Sequence, residues 1–311
     1  MAVFWLLIGF VILFLSGDWL IKGSVALSRH FKISTLVIGL TVVAFGTSAP
    51  ELFVSVQAAF DGIPDLAIGN IVGSNIANIG LILGLVSIVM PISTKNKAIW
   101  FDWTIMAVAT LLLIMFAYNG TIGFFEGLIF ITILLLYLVW SVFHTRRKSM
   151  QNNELFLVSE ISIFKSVLLI IFSVVGLYFG AEWLVKGATS LAFSWGVSDR
   201  VIGISIVAFG TSVPELATSL MALVRKENDI SVGNIIGSNI FNIMAVLGVT
   251  SLINPLEVKD FAMLVQDIFV SMALGVLLLL FMLPLSNGMI SRWKGAILFI
   301  CYIIYIYVLY I

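Results

Sequence analysis

The chain has 311 residues, of which 61% are hydrophobic and only 10% charged, and its formal net charge is zero. Soluble domains carry about 25% charged residues, so too few polar side chains exist to cover a water-facing surface, and a neutral chain offers nothing to nucleic acid. The single cysteine, Cys301, excludes an internal disulfide, and the sequence holds no Cys/His metal cluster.

A bilayer core takes about 20 apolar residues per helical span. Ten candidate spans follow in chain order: 2–28, 34–60, 66–90, 98–117, 121–143, 163–190, 199–224, 230–253, 263–283 and 291–311. The first run, Ala2 to Leu15, has no basic leader and is read as a retained helix rather than a signal peptide. Asp18 and Glu182 each precede a lysine by four residues, Lys22 and Lys186, which suits an i,i+4 pair. Asp102 and Glu126 fall near span ends and are expected at the interface, as are Trp5, Trp100, Trp103 and Trp293. The polar stretch His144–Glu160 separates two halves. The expected organisation is a five-helix repeat over 1–143, a connecting loop over 144–162 and a second repeat over 163–311. With the N-terminus outside, the inner side carries Lys22, Arg29, Lys32, Lys95, Lys97, Arg146, Arg147, Lys148, Lys165, Arg225, Lys226, Arg292 and Lys294, against Lys186, Arg200 and Lys259 outside. The positive-inside rule therefore puts both termini outside and the central loop in the cytoplasm.

Residues 39–84 align without a gap to 203–248. Gly-Leu-Thr-Val-Val-Ala-Phe-Gly-Thr-Ser-Ala-Pro-Glu-Leu at 39–52 returns as Gly-Ile-Ser-Ile-Val-Ala-Phe-Gly-Thr-Ser-Val-Pro-Glu-Leu at 203–216. Gly-Asn-Ile-Val-Gly-Ser-Asn-Ile-Ala-Asn at 69–78 returns as Gly-Asn-Ile-Ile-Gly-Ser-Asn-Ile-Phe-Asn at 233–242. Five expected spans separate the copies, an odd number, so each helix of one copy should run opposite to its twin. The fold class predicted is an all-α membrane protein of ten transmembrane helices arranged as two inverted five-helix repeats.

The residues kept in both copies are Gly, Ser, Thr, Asn, Pro and Glu, which packing alone does not require. Glu51 and Glu215 sit mid-span, where an acid costs about 2.5–3.5 kcal/mol. A bound cation is the natural partner; two protonated, hydrogen-bonded acids are the alternative. Pro50 and Pro214 lack an N–H and clash with the carbonyls of Gly46 and Gly210, so carbonyls in that turn, Thr47 and Thr211 included, can face an ion. Asn70, Ser74 and Asn78 recur at helical spacing, as do Asn234, Ser238 and Asn242, and line one face. Gly69 and Gly73, with Gly233 and Gly237, suit close helix packing. Two glutamates with the Thr47 and Thr211 carbonyls could supply much of the six to eight oxygens Ca2+ takes. The Ser48, Ser74, Ser212 and Ser238 hydroxyls suit Na+.

Gly-Thr-Ser-Ala-Pro-Glu and Gly-Thr-Ser-Val-Pro-Glu, each followed by Gly-Ser-Asn-Ile-x-Asn, resemble the two alpha-repeats of the calcium/cation antiporter superfamily, in its sodium/calcium exchanger branch. The resemblance spans the whole chain. It implies that Glu51 and Glu215 are central Ca2+ ligands completed by the Thr47 and Thr211 carbonyls. Ser48, Ser74, Ser212 and Ser238, with the Ala44 and Ala208 carbonyls, would serve flanking Na+ sites. The helices at 2–28 and 163–190 would slide as a pair across an eight-helix core. Some relatives carry Asp where this chain has Asn242, matching Asn78; in potassium-dependent ones that Asp goes with K+ use, so Asn242 argues against K+. The function implied is a secondary antiporter exchanging Ca2+ for Na+ in a prokaryotic plasma membrane, with Ca2+/H+ exchange the alternative. An intramembrane enzyme and a passive channel are the rival classes. No cofactor and no obligate protein partner are implied beyond the ions and membrane lipid.

Overall fold

The computed structural model describes residues 1–96, 98–151, 159–196, 208–258, 261–283 and 288–309. Residues 199–207, which open the seventh expected span, lie outside the described residues, as do Lys97, Arg200 and Lys259 of the charge count.

Apolar composition produces long helices wherever no proline intervenes. In chain order they are α1 (Ala2–Phe31), α2 (Thr35–Thr47), α3 (Ala49–Phe60), α4 (Pro64–Val89), α5 (Ala98–Ala117), α6 (Phe124–Gln151), α7 (Ile163–Ser194), α8 (Ala208–Thr211), α9 (Val213–Val224), α10 (Asn228–Ile253), α11 (Phe261–Met282) and α12 (Arg292–Leu309). Among the described residues eight helices are long and apolar enough to cross a bilayer, and α2 with α3, bent by 45°, makes a ninth. Helices α4 and α10 are the most enclosed: 83% of the apolar window of each is buried.

Four two-residue strands tie the ends of the bundle. β1 (Ile92–Ser93) pairs with β4 (Met289–Ile290), and β2 (Thr121–Ile122) pairs with β3 (Leu256–Glu257), both antiparallel. β1 precedes α5 and β2 follows it; β3 precedes α11 and β4 follows it. The two pairings therefore join opposite ends of α5 and α11, which run antiparallel.

Two interfaces rest on small residues. A Cβ on Gly9 of α1 would collide with the backbone of α7 at Leu184, and one on Gly187 of α7 with the backbone of α1 at Leu6. These two helices thus approach to backbone contact. Gly233 and Gly237 of α10 do the same against α2, where an added Cβ would come within 2.7 Å of the Leu36 carbonyl oxygen and 2.8 Å of the Leu40 carbonyl oxygen. By the constant offset, the matching partners of Gly69 and Gly73 fall at 200 and 204, outside the described residues.

Asp102, near the start of α5 as expected, is enclosed by the protein. It is only 3% exposed and accepts a hydrogen bond from the Tyr137 hydroxyl at 2.8 Å, joining α5 to α6. The same device joins α11 to α12, where Tyr305 donates to Asp267 at 3.0 Å. Trp103 likewise donates its indole N–H to the protein, at the Gly275 carbonyl, 2.8 Å away. Glu126 accepts from the Gly123 backbone N–H at 3.0 Å in the turn that opens α6.

A buried carboxyl stripped of its donor bears its desolvation cost unopposed. Tyr137→Phe should lower stability by about 1–3 kcal/mol, and by more than Tyr305→Phe, because Asp267 is only half-buried. Thermal unfolding of the two variants in detergent checks this.

Candidate ion-binding centre

The centre is built where helices break. Pro50 and Pro214 stand at the second position of α3 and α9, where a missing N–H costs nothing and the proline ring cannot continue the preceding helix. The residues at the breaks, Ser48 and Ser212, take nearly the same backbone angles, φ −83°, ψ 4° and φ −88°, ψ −1°. Each break places a glutamate, Glu51 or Glu215, in the first turn of the next helix. Unpaired N–H groups and the helix dipole favour negative charge there. The sequence thereby softens the cost of burying carboxyls that are 1% and 0% exposed.

Elements of both halves converge on this point. Ser48 of the first motif donates to Glu215 Oε1 of the second at 3.5 Å. The Thr47 hydroxyl lies 3.1 Å from Asn234 Oδ1, 3.3 Å from the Ser238 hydroxyl and 3.3 Å from the Ala44 carbonyl. Ser74, Ser212, Asn78 and Asn242 are buried. Thr211 is half-buried where Thr47 is fully buried, and Ala208 opens the short helix before the second break.

Asn78 and Asn242 each begin a π-helical stretch, Asn78–Leu83 in α4 and Asn242–Leu247 in α10. A third, Gly39–Val43, lies in α2. Such widened turns favour functional positions because they free carbonyls from the regular ladder.

The carboxamides of the expected stripe divide by role. Asn70 Nδ2 donates to Ser55 Oγ at 3.0 Å and to the Glu51 carbonyl at 3.4 Å. Asn234 Nδ2 does the same for Ser219 (3.0 Å), Thr218 (3.1 Å) and the Glu215 carbonyl (3.5 Å). These two asparagines therefore brace the helices that carry the glutamates. Asn242 Nδ2 donates to Asn75 Oδ1 at 3.1 Å, and Asn75 Nδ2 to the Asn239 carbonyl at 3.3 Å. Spacing by fours passes over Asn75 and Asn239, although their retention in both copies of Gly-Ser-Asn was a signal for them.

Four buried oxygens of the residues expected at the site have no hydrogen-bond partner among the described residues, Glu51 Oε2, Glu215 Oε2, Asn78 Oδ1 and Asn242 Oδ1, beside the equally unpartnered Asn78 Nδ2 and the whole carboxamide of Asn239. Native interiors rarely leave such groups unpaired. All four are acceptors, the donor type that a hard cation takes.

A second charged cluster lies where α1 meets the end of α9. Asp18 bonds Lys22 at 2.7 Å, as its spacing predicts, and also pairs with Arg225 across the interface. Nearby, burial raises the Glu227 carboxyl above its ordinary range and Asp229 adds to this, while Arg29 opposes it. The Glu182–Lys186 spacing does not give a matching ion pair among the described residues; Lys186 Nζ sits 4.5 Å from the Trp5 ring centre.

Residues 1–143 and 165–311 match the sodium/calcium exchanger protein family. An uncharacterized membrane protein, MJ0091, of Methanocaldococcus jannaschii is 37% identical over 98% of this chain and 96% of its own length. The sodium/calcium exchanger MaX1 of Methanosarcina acetivorans is 30% identical over 98% of this chain and 97% of its own. Solved structures of the sodium-calcium exchanger NCX_Mj share the fold. One soaked with zero Na+ and Ca2+ gives a TM-score of 0.81 at 34% identity, covering 97% of both chains. One soaked with 2.5 mM Na+ and 0.1 mM Ca2+ gives 0.78 at 35%, covering 97% of this chain and 96% of that one.

Removing the Asn234 carboxamide deprives Thr218, Ser219 and Thr47 of a buried partner together. Asn234→Leu should cost about 1–3 kcal/mol, read as a lowered unfolding temperature in detergent, and more than Asn70→Leu, whose site is less enclosed.

Proposed function

Because this chain belongs to the sodium/calcium exchanger protein family, an integral multi-pass family of secondary transporters and not of enzymes, we propose that it exchanges Ca2+ for Na+ by alternating access at the glutamate-lined centre. The observation that carries this reading is the set of four unpartnered buried oxygens, two of them on carboxyls. Two carboxylates neutralise one Ca2+, and the carboxamide oxygens of Asn78 and Asn242 with the Thr47 and Thr211 carbonyls bring the shell toward six to eight oxygens. The Ser48, Ser74, Ser212 and Ser238 hydroxyls, with the Ala44 and Ala208 carbonyls, suit flanking Na+. Both ions then draw on the same carboxyls, so filling with Na+ expels Ca2+. Such competition, joined to access from one side at a time, produces exchange.

In this reading the chain forms ten spans in two inverted halves, 1–143 and 163–311, with both termini outside and the 144–162 loop in the cytoplasm. The antiparallel run of α5 and α11 supports the inversion. Helices α1 and α7, in backbone contact at Gly9 and Gly187, move as one body past the remainder. Sodium as the counter-ion is supported by the names of MaX1 and NCX_Mj.

Proteoliposomes loaded with Na+ should take up 45Ca2+ only when the external medium lacks Na+, and a proton ionophore should leave uptake intact. Uptake indifferent to Na+ but driven by a pH gradient would assign H+ as the counter-ion. Glu51→Gln and Glu215→Gln should each reduce Ca2+ transport at least about a hundredfold, the loss of one charged ligand being worth several kcal/mol, while the protein elutes as a folded species. Normal uptake in either variant would remove that residue from the site.

A further inference from the structure

Asn75 and Asn239 hold the same place in the two motif copies, as do Asn78 and Asn242, yet their bonding is unequal. One chain of bonds between the halves is complete: Asn242 Nδ2 donates to Asn75 Oδ1 at 3.1 Å, and Asn75 Nδ2 donates to the Asn239 carbonyl at 3.3 Å. Its mirror would run from Asn78 Nδ2 to Asn239 Oδ1 and from Asn239 Nδ2 to the Asn75 carbonyl. That mirror is not made. Asn78 Nδ2, Asn239 Oδ1 and Asn239 Nδ2 are all buried without a hydrogen-bond partner among the described residues. Each is the atom that the mirrored chain would use.

We propose that Asn75 and Asn239 are positioning residues that act in turn, Asn75 holding the Asn242 carboxamide in the access state described here and Asn239 holding the Asn78 carboxamide in the opposite one. The proposal rests on the exchanger reading above. In a transporter built from inverted repeats the halves exchange roles when access changes sides. An unequal bond pattern across the α4–α10 contact in one state is therefore expected in its mirrored form in the other. The exchange is one of side-chain partners between α4 and α10. Space for it exists: a cavity of about 180 Å3 between α5 and α11 is lined by both Asn75 and Asn239. The asparagines they hold begin the π-helical stretches of their helices.

The chemical effect is on the oxygen. A carboxamide whose nitrogen is held presents its oxygen in a fixed direction, and Asn242 Oδ1 is the unpartnered acceptor left by the complete chain. An unheld carboxamide must be ordered when the ion arrives, which weakens binding. Asn75 thus sets the affinity of the site open to one face of the membrane, and Asn239 that of the site open to the other.

The test measures the half-saturating Ca2+ concentration for Na+-driven 45Ca2+ uptake in right-side-out and in inverted membrane vesicles. Asn75→Leu should raise it by about five- to tenfold at one face, the worth of one buried hydrogen bond, with little change at the other. Asn239→Leu should do the reverse. Asn75→Ser and Asn239→Ser keep a shorter hydrogen-bonding group, leave the fold less disturbed, and should show the same sidedness at smaller size. Residues that only stabilise the fold would lower the maximal rate or the amount of protein at both faces alike. Equal shifts at both faces, or no shift, overturn the proposal while exchange in the wild-type vesicles stands. Wild-type vesicles without Na+-driven uptake overturn the exchanger reading instead.

Discussion

Two carboxyl groups enclosed in an apolar bundle set the terms for the polar residues around them. Glu51 and Glu215 gain what they can from backbone, since each begins a helix whose N–H groups favour negative charge. That requires a helix start in mid-bundle, which requires a break, which the prolines at 50 and 214 enforce. Several other polar residues shared by the two motifs then have a task. Asn70 and Asn234 hold the broken helices to their neighbours, Thr47 ties one half to Asn234 and Ser238 of the other, and Ser48 reaches across to Glu215. The glycines at 233 and 237 let α10 close on α2, so that these bonds can form at all.

Much of this was legible in the sequence because burying charge in lipid is costly and leaves a compositional trace. The long helices, the break before each glutamate and the repeated motif follow from residue type and spacing alone. What spacing could not supply was contact between distant segments. The partner of Asp102, Tyr137, is 35 positions away on another helix and left no trace in local spacing. Arg225 joined Asp18 from 207 positions away, beside the lysine that the i,i+4 rule had already provided. The π-helical stretches escaped for a different reason: one extra residue in a turn changes the helix register without changing its composition. Asn75 and Asn239 were passed over because a strict interval of four assigns them to the wrong face, whereas in the folded chain they bond across the α4–α10 contact.

The two halves are related in sequence yet not equivalent in charge. Asp18 finds Arg225, while the positions at the same offset are Glu182 and Asp61, two acids that cannot attract one another. Duplication thus retained the central chemistry and let the rims diverge.

The paired strands have a mechanical meaning beyond their four short segments. Helices α5 and α11 are two antiparallel rails joined by a rung at each end, β1 with β4 and β2 with β3. Rails fastened at both ends resist sliding lengthwise, because a slide skews both rungs and pulls their hydrogen bonds out of register. Among the described residues neither α1 nor α7 carries such a rung. Between the rails Trp103 of α5 donates to the Gly275 carbonyl of α11, so the pair is braced at both ends and in its middle.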